Sequence, residues 1–174
     1  MNLVLTGFMG TGKSSVGKII ADKLGRGYFD TDDLIEKTAG LSVSEIFKKH
    51  GEAMFRRMES EAIEAVSEKS SVVISCGGGA VLNPKNIETL SKRGVIVCLY
   101  ASPGQIYERI KKEGHRPLLK CADPLAEIKK LLEQRTEAYS SCDFSFDTDG
   151  CDSRKVAEKI LENTEISKLL GIRG

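Results

Sequence analysis

NLVLTGFMGTGKSSVGKIIADKLG, residues 2–25, sets an apolar run against a glycine-rich turn and then a segment of helical period. The run at 2–6 reads as a buried strand. Val16, Ile19, Ile20 and Leu24 fall on one face of the helix that follows, and Gly25 sits where a C-terminal cap belongs. Between them GFMGTGKS, Gly7 to Ser14, matches G-x-x-x-x-G-K-[ST] at every fixed position. In a strand–loop–helix setting the glycines let backbone N–H groups turn around phosphate oxygens, and the helix N-terminus adds partial positive charge. Gly10, Thr11, Gly12, Lys13, Ser14 and Ser15 are therefore expected to hold a nucleoside triphosphate. Lys13 is expected at the β- and γ-phosphates and the Ser14 hydroxyl on magnesium.

Outward from this unit, short apolar or β-branched runs alternate with longer stretches of helical period. YFD (28–30), VVISC (72–76), VIVCLY (95–100) and FSFD (144–147) read as strands. SVSE at 42–45 has capping-box form, and Phe55, Met58, Ala62 and Val66 continue a helical stripe. SPGQ at 102–105 sets Ser102 as a cap and Pro103 at the first helical position, with Ile106 and Ile110 inward. Such alternation predicts an α/β fold whose parallel sheet is covered by helices on both faces. Ligands then gather outside the carboxyl ends of the strands.

The chain of 174 residues is long enough for one domain with a single core. A net charge of +1 offers no basic surface to nucleic acid or to an anionic membrane, so neither is expected as a partner. The longest apolar run, VIVCLYA at 95–101, is far short of the roughly 20 residues of a membrane span. No basic n-region opens the chain, and no signal peptide is expected. Five cysteines without a CxxC argue against a disulfide framework or a zinc site. They predict reduced thiols in a cytoplasmic protein, with Cys76 and Cys98 as small core residues. Nothing demands an oligomer, and a monomer is expected.

The chemistry narrows further at the strand ends. No N-K-x-D stretch supports guanine selectivity, and VVISC runs into glycines where motor ATPases carry an aspartate, which favours a small phosphotransferase. After the second strand, DTDD brings Asp30 and Asp32 towards the phosphate loop, while Asp33 reads as a helix-start residue. A kinase acting on an alcohol needs a carboxylate to orient or deprotonate the hydroxyl, and often another acid to hold water on magnesium. Gly77 to Gly79 fit either a close approach to ligand or a tight turn. Arg135 lies on the inward stripe of Leu125, Ile128, Leu132 and Tyr139, so it must reach solvent or meet an anion. Arg56, in FRRME, also adjoins an apolar face, and two such arginines point to an acceptor carrying its own carboxylate. Arg116, in EGHRPLL, rides on a loop that is either simply exposed or closes over the nucleotide. His50 and His115 are expected to face solvent.

Taken in order, GFMGTGKSS, FDTD, GEAMFRRMES, SCGGGA, RPLL and RTEAY make the chain resemble shikimate kinase over about residues 1–163. The resemblance implies a three-layer αβα P-loop kinase fold with a five-stranded parallel sheet, like that of the nucleoside monophosphate kinases. It implies one domain over 1–174, with substrate-binding helices within 31–62 and a mobile lid over 112–123. The implied reaction is transfer of the ATP γ-phosphoryl group to the 3-hydroxyl of shikimate, with Mg2+, on the way to chorismate and the aromatic amino acids. Asp32 would then be the base, and Asp30 would act on magnesium through water beside Ser14. Arg56, Gly77, Gly78, Gly79 and Arg135 would hold the substrate. Lys13 and Arg116 would join Asp32 in catalysis, Arg116 from the lid, and Arg109 would pack on adenine. The loop FDTDGCDSRK lacks the proline expected on the adenine side, with Ser153 near that position, so the contact there is expected to rest on backbone. Residues 164–174 read as a peripheral extension.

Two competing readings fit less well. A gluconate kinase would share the phosphate loop and D-T-D but not the need for two substrate-side arginines. A regulatory nucleotide-binding protein without catalysis would be expected to lose Lys13, Asp32 or Arg116, and all three are present.

Overall fold

In the computed structural model, residues 1–111 and 122–172 are described. Five strands, β1 (Asn2–Thr6), β2 (Gly27–Asp30), β3 (Val72–Ser75), β4 (Gly94–Tyr100) and β5 (Phe144–Asp147), form one sheet in the order β2-β3-β1-β4-β5. Every pairing is parallel. The helices are α1 (Lys13–Leu24), α2 (Thr31–Ala39), α3 (Val43–Ser67), α4 (Pro84–Ser91), α5 (Pro103–Ile110), α6 (Pro124–Ser140), α7 (Ser153–Glu162) and α8 (Thr164–Leu170). A single 3₁₀ turn, Ala80–Leu82, follows β3.

The three central strands, β3, β1 and β4, are buried on both faces, which is why they read as unbroken apolar runs, while the edge strands β2 and β5 are partly exposed. Side chains alternate: Leu3, Leu5, Val95, Val97 and Leu99 pack against α1, α7 and α8. Val4, Ile74 and Ile96 face the other way, onto Ile63 and Val66 of α3 and Leu90 of α4. Burying each such aliphatic side chain is worth about 1.5–3 kcal/mol. The result is three layers, helix, sheet and helix. Residues 164–170, part of the stretch read as peripheral, instead contribute buried Ile166 and Leu170 to the first core.

The caps follow the sequence signals. Gly25 closes α1 in the left-handed region, Ser42 and Glu45 form a capping box at α3, and Ser102 caps α5 ahead of Pro103. One feature differs from the continuous helix read from the cap at 42–45 into the stripe over 55–66: Gly51, with φ 78° and ψ 173°, breaks α3 between them. A positive φ of this kind is open to glycine with little strain. The break lets residues 52–67 run in a new direction, past the end of β3. Among the described residues no helix is long and apolar enough to cross a membrane. The expected lid lies almost wholly outside the described residues, and so do Arg116 and His115. His50 is exposed.

Candidate active site

Because β2, β3 and β1 are adjacent and parallel, the segments after them emerge side by side. The phosphate loop follows β1, Asp30 to Asp32 follow β2, and Gly77 to Gly79 follow β3. In the loop, a Cβ on Gly7 would lie 2.1 Å from the Leu99 carbonyl oxygen, so only glycine fits. Gly12 caps α1 with φ 92° and no side chain bonds the first turn, whose N–H groups suit an anion. Lys13 is buried, and its Nζ donates to the carbonyls of Gly7 at 2.8 Å and Phe8 at 2.9 Å. Thr11 Oγ1 donates to Phe8 O at 2.8 Å. Ser14 and Ser15 are exposed at the start of α1.

Asp30 has two jobs. Its Oδ1 accepts from the Asp32 N–H at 3.1 Å and so caps α2, while its Oδ2 accepts from Ser14 Oγ at 2.9 Å and Tyr28 Oη at 3.0 Å. Burial, with the Asp30 charge beside it, pushes the Tyr28 phenol up, which keeps it a donor. A hydroxyl and a carboxylate side by side at the loop are hard oxygen donors of the kind Mg2+ takes alongside its waters, so the residues fit that ion. No group of three or more His, Cys, Asp or Glu placed to hold a metal ion is present among the described residues. Asp33 is exposed in the first turn of α2.

The turn after β3 is where the substrate-side residues meet. Gly77 N–H donates to the buried Thr31 Oγ1 at 2.9 Å. A Cβ on Gly77 would stand 2.5 Å from Asp32 Oδ1 and 2.9 Å from Glu59 Oε1, so two carboxylates crowd the space that glycine leaves. Glu59 is 1% exposed, and its Oε2 accepts from Arg56 Nη1 at 2.8 Å. Burial raises the Glu59 carboxyl above its ordinary range, Arg56 pulls it back, and Asp32 and Glu52 add to the rise. Arg56 is gripped again by Glu52 Oε1, at 3.2 Å from Nε and 3.1 Å from Nη2, and lies 5.3 Å from the centre of the Phe55 ring. A Cβ on Gly79 would come within 2.3 Å of Arg56 Nη1.

From the other side, α6 presents Arg135 and Tyr139 one turn apart. The Arg135 guanidinium is half-buried over the Phe8 ring, 5.7 Å from its centre, and Tyr139 Oη donates to Gly78 O at 2.6 Å. Burial pushes the Tyr139 phenol up to about 12, against the pull of Arg135. Arg109 lies apart from these. Its Nη1 donates to Gly10 O at 3.1 Å and Thr148 Oγ1 at 2.9 Å, and its Nη2 to Thr148 O at 2.7 Å, tying the phosphate loop to the segment after β5. Ser153 opens α7, whose cap is Asp152.

Sequence reasoning passed over Glu59, Thr31, Tyr28 and Thr148. Glu59 left a signal, since Glu52, Arg56 and Glu59 stand at the i, i+4 and i, i+3 spacings that let helical side chains pair. Tyr28 left the i, i+2 spacing that puts it on the same face of β2 as Asp30, while Thr31 and Thr148 left none, because each acts through a partner distant in the chain.

A triphosphate cradle thus lies beside a cluster that mixes carboxylates with guanidinium groups, one strand away across the same sheet edge. Fold and site together are those of a P-loop kinase for a small molecule. A family model described as shikimate kinase matches residues 9–165, and the chain belongs to that family. The shikimate kinase of Thermodesulfovibrio yellowstonii is 49% identical over 164 residues, covering 94% of this chain and 95% of that protein. That of Caldicellulosiruptor bescii is 48% identical over 160 residues, 92% of this chain and 93% of the relative. Among solved structures, the shikimate kinase of Acinetobacter baumannii in complex with shikimate superposes with a TM-score of 0.90 at 34% identity, covering 97% of this chain and 94% of that one.

Proposed function

We propose that this chain transfers the γ-phosphoryl group of ATP to the 3-hydroxyl of shikimate, giving shikimate 3-phosphate and ADP. The observation that carries this is the meeting of Asp32, Arg56 and the Gly77–Gly79 turn beside the phosphate loop, in a chain whose relatives are shikimate kinases. In this proposal Arg56 and Arg135 bind the acceptor's carboxylate, and the close backbone of Gly77, Gly78 and Gly79 forms the pocket wall. Asp32 orients the 3-hydroxyl and takes its proton as the oxygen attacks the γ-phosphorus. The bond from that phosphorus to the β–γ bridging oxygen breaks as the new one forms, and ADP leaves.

Lys13, Gly10, Thr11, Gly12, Ser14 and Ser15 hold the phosphates, and Lys13 balances charge that develops on them. Ser14 and, through water, Asp30 would hold Mg2+. When bound, the ion neutralises phosphate charge and orients the γ-phosphoryl group. Arg116, from a lid over 112–123, would complete this electrostatic cage, and Arg109 and Ser153 would border the adenine. Glu59 and Glu52 hold the Arg56 guanidinium where the carboxylate must dock. The substrate helices within 31–62 and the lid act in one domain over 1–174, working as a monomer in the cytoplasm.

A coupled ADP-release assay with shikimate, with gluconate and with no acceptor tests the proposal. Release that depends on shikimate alone is expected. Equal release with gluconate, or release independent of any acceptor, would refute it.

A further inference from the structure

Behind Tyr139, on the sheet face away from α1, lies a cavity of about 460 Å³ lined by Cys98, Cys142, Leu132, Thr136, Tyr139 and Phe144, among others. Cys98 comes from β4, where it pairs in register with Thr6 on one side and Ser145 on the other. Cys142 comes from the turn after α6, which is pinned to the same strand. Asp143 N–H donates to Ile96 O at 2.9 Å, and Ile96 N–H donates to Asp143 Oδ2 at 2.7 Å. Two thiols distant in the chain are thereby brought to the wall of one cavity, near enough for each to shift the other's ionisation, while the Cys98 thiol donates to Leu99 O at 3.9 Å. Cys98 is 4% exposed while Cys142 is only half-buried, so one thiol is open to reagents and the other sits behind it.

We propose that Cys98 and Cys142 form an oxidisable dithiol site, at which a hydroperoxide converts Cys142 to a sulfenic acid and Cys98 then closes a disulfide. The Cys142 thiolate attacks one peroxide oxygen, the O–O bond breaks, and the departing oxygen takes up a proton. Cys98 sulfur then displaces hydroxide from Cys142 sulfur, and the Cys98 proton leaves with it as water. Two thiols lose two electrons and two protons, and the hydroperoxide gains them. Closure needs the sulfurs to approach to about 2.05 Å, a side-chain movement. The Cys98 thiol beside it lowers the Cys142 thiol from its ordinary value, against its burial and the Asp143 charge, which favours the thiolate at Cys142. Cys98 is pushed up by Cys142 beside it and by burial, and stays protonated.

The test reads thiols rather than turnover. Reduced protein is treated with hydrogen peroxide at neutral pH, the remaining thiols are blocked, and peptides are mapped without reduction. A peptide pair linking Cys98 to Cys142, lighter by two hydrogens and split by dithiothreitol, is the expected first product. In Cys98→Ser, which keeps a hydroxyl donor, the sulfenic acid at Cys142 should persist and be trapped by dimedone. The proposal is overturned if Cys142 stays alkylatable, or if it links to Cys121 or Cys151. It is also overturned if Cys151, whose Sγ accepts from Lys159 Nζ at 3.3 Å, oxidises first.

Discussion

Gly79→Ala probes the substrate side with a single methyl group. Its Cβ would lie 2.3 Å from Arg56 Nη1 and 2.6 Å from both Cζ and Nη2. Unbonded heavy atoms of this kind rest about 3.5 Å apart, so the guanidinium must withdraw by about 1 Å. It is the far end of a flexible side chain, and no backbone has to move, so the variant should fold as the parent does. The withdrawal nevertheless breaks the 2.8 Å bond from Nη1 to Glu59 Oε2 and leaves Glu52, on the exposed side, as the remaining grip. Arg56 then no longer presents its fork to the acceptor. A hydrogen bond to a charged group is worth about 1.5–3 kcal/mol, so the KM for shikimate should rise about 10- to 150-fold. Steady-state ADP release, with shikimate varied at saturating ATP and then the reverse, reads the effect. The ATP KM should stay near its parental value. A folded variant with an unchanged shikimate KM, or with both constants raised alike, would refute the reasoning.

Asp32→Asn should lower kcat by about 100- to 10,000-fold while nucleotide titration still shows ATP binding; a parental kcat would rule out the base role. Arg135→Ala should raise the shikimate KM about 10- to 150-fold and leave the ATP KM alone, and an unchanged shikimate KM would remove Arg135 from the carboxylate site. Glu59→Gln tests the buried carboxyl by pH. Because burial raises the folded value above the ordinary 4.5, the stabilisation from protonated Glu59 is full below 4.5 and is lost as pH rises through the folded value. Urea midpoints measured upward from acid should show the parent losing ground to the variant over that window, and a gap independent of pH would contradict this.

The fold was legible because the central strands β1, β3 and β4 are buried on both faces, so their residues carry the message without help from distant ones. The five runs read from sequence match the five strands to within a residue at either end. Gly25, Ser42 and Ser102 were readable for the same reason, since a cap bonds its own helix. The break at Gly51 was not, because glycine inside a helical pattern is compatible with either continuation or a kink until tertiary packing decides. Arg135 could be narrowed to solvent or an anion. That it lies over Phe8, a residue of the phosphate loop, depends on how α6 docks, and helical period says nothing of docking. Thr31 meeting Gly77 N–H is of the same kind.

Gly77 to Gly79 gave the weakest sequence signal of the site and occupy its centre in the structure. Each residue touches a different element: Gly77 is held by Thr31 of α2, Gly78 by Tyr139 of α6, and Gly79 lies under Arg56 of α3. Three elements that bring the carboxylate and both arginines are thus registered on one turn of a fixed strand. A methyl at Gly77 would strike Asp32 Oδ1 and Glu59 Oε1, and one at Gly79 would strike Arg56, so adjacent positions separate two kinds of damage. On the proposed function, the first disturbs the carboxylate assigned to the hydroxyl, the second the guanidinium assigned to the acid. A turn that must stay close to three partners cannot carry a side chain, and for that reason a composition of bare glycines, uninformative by itself, marks the turn where the proposal seats the acceptor.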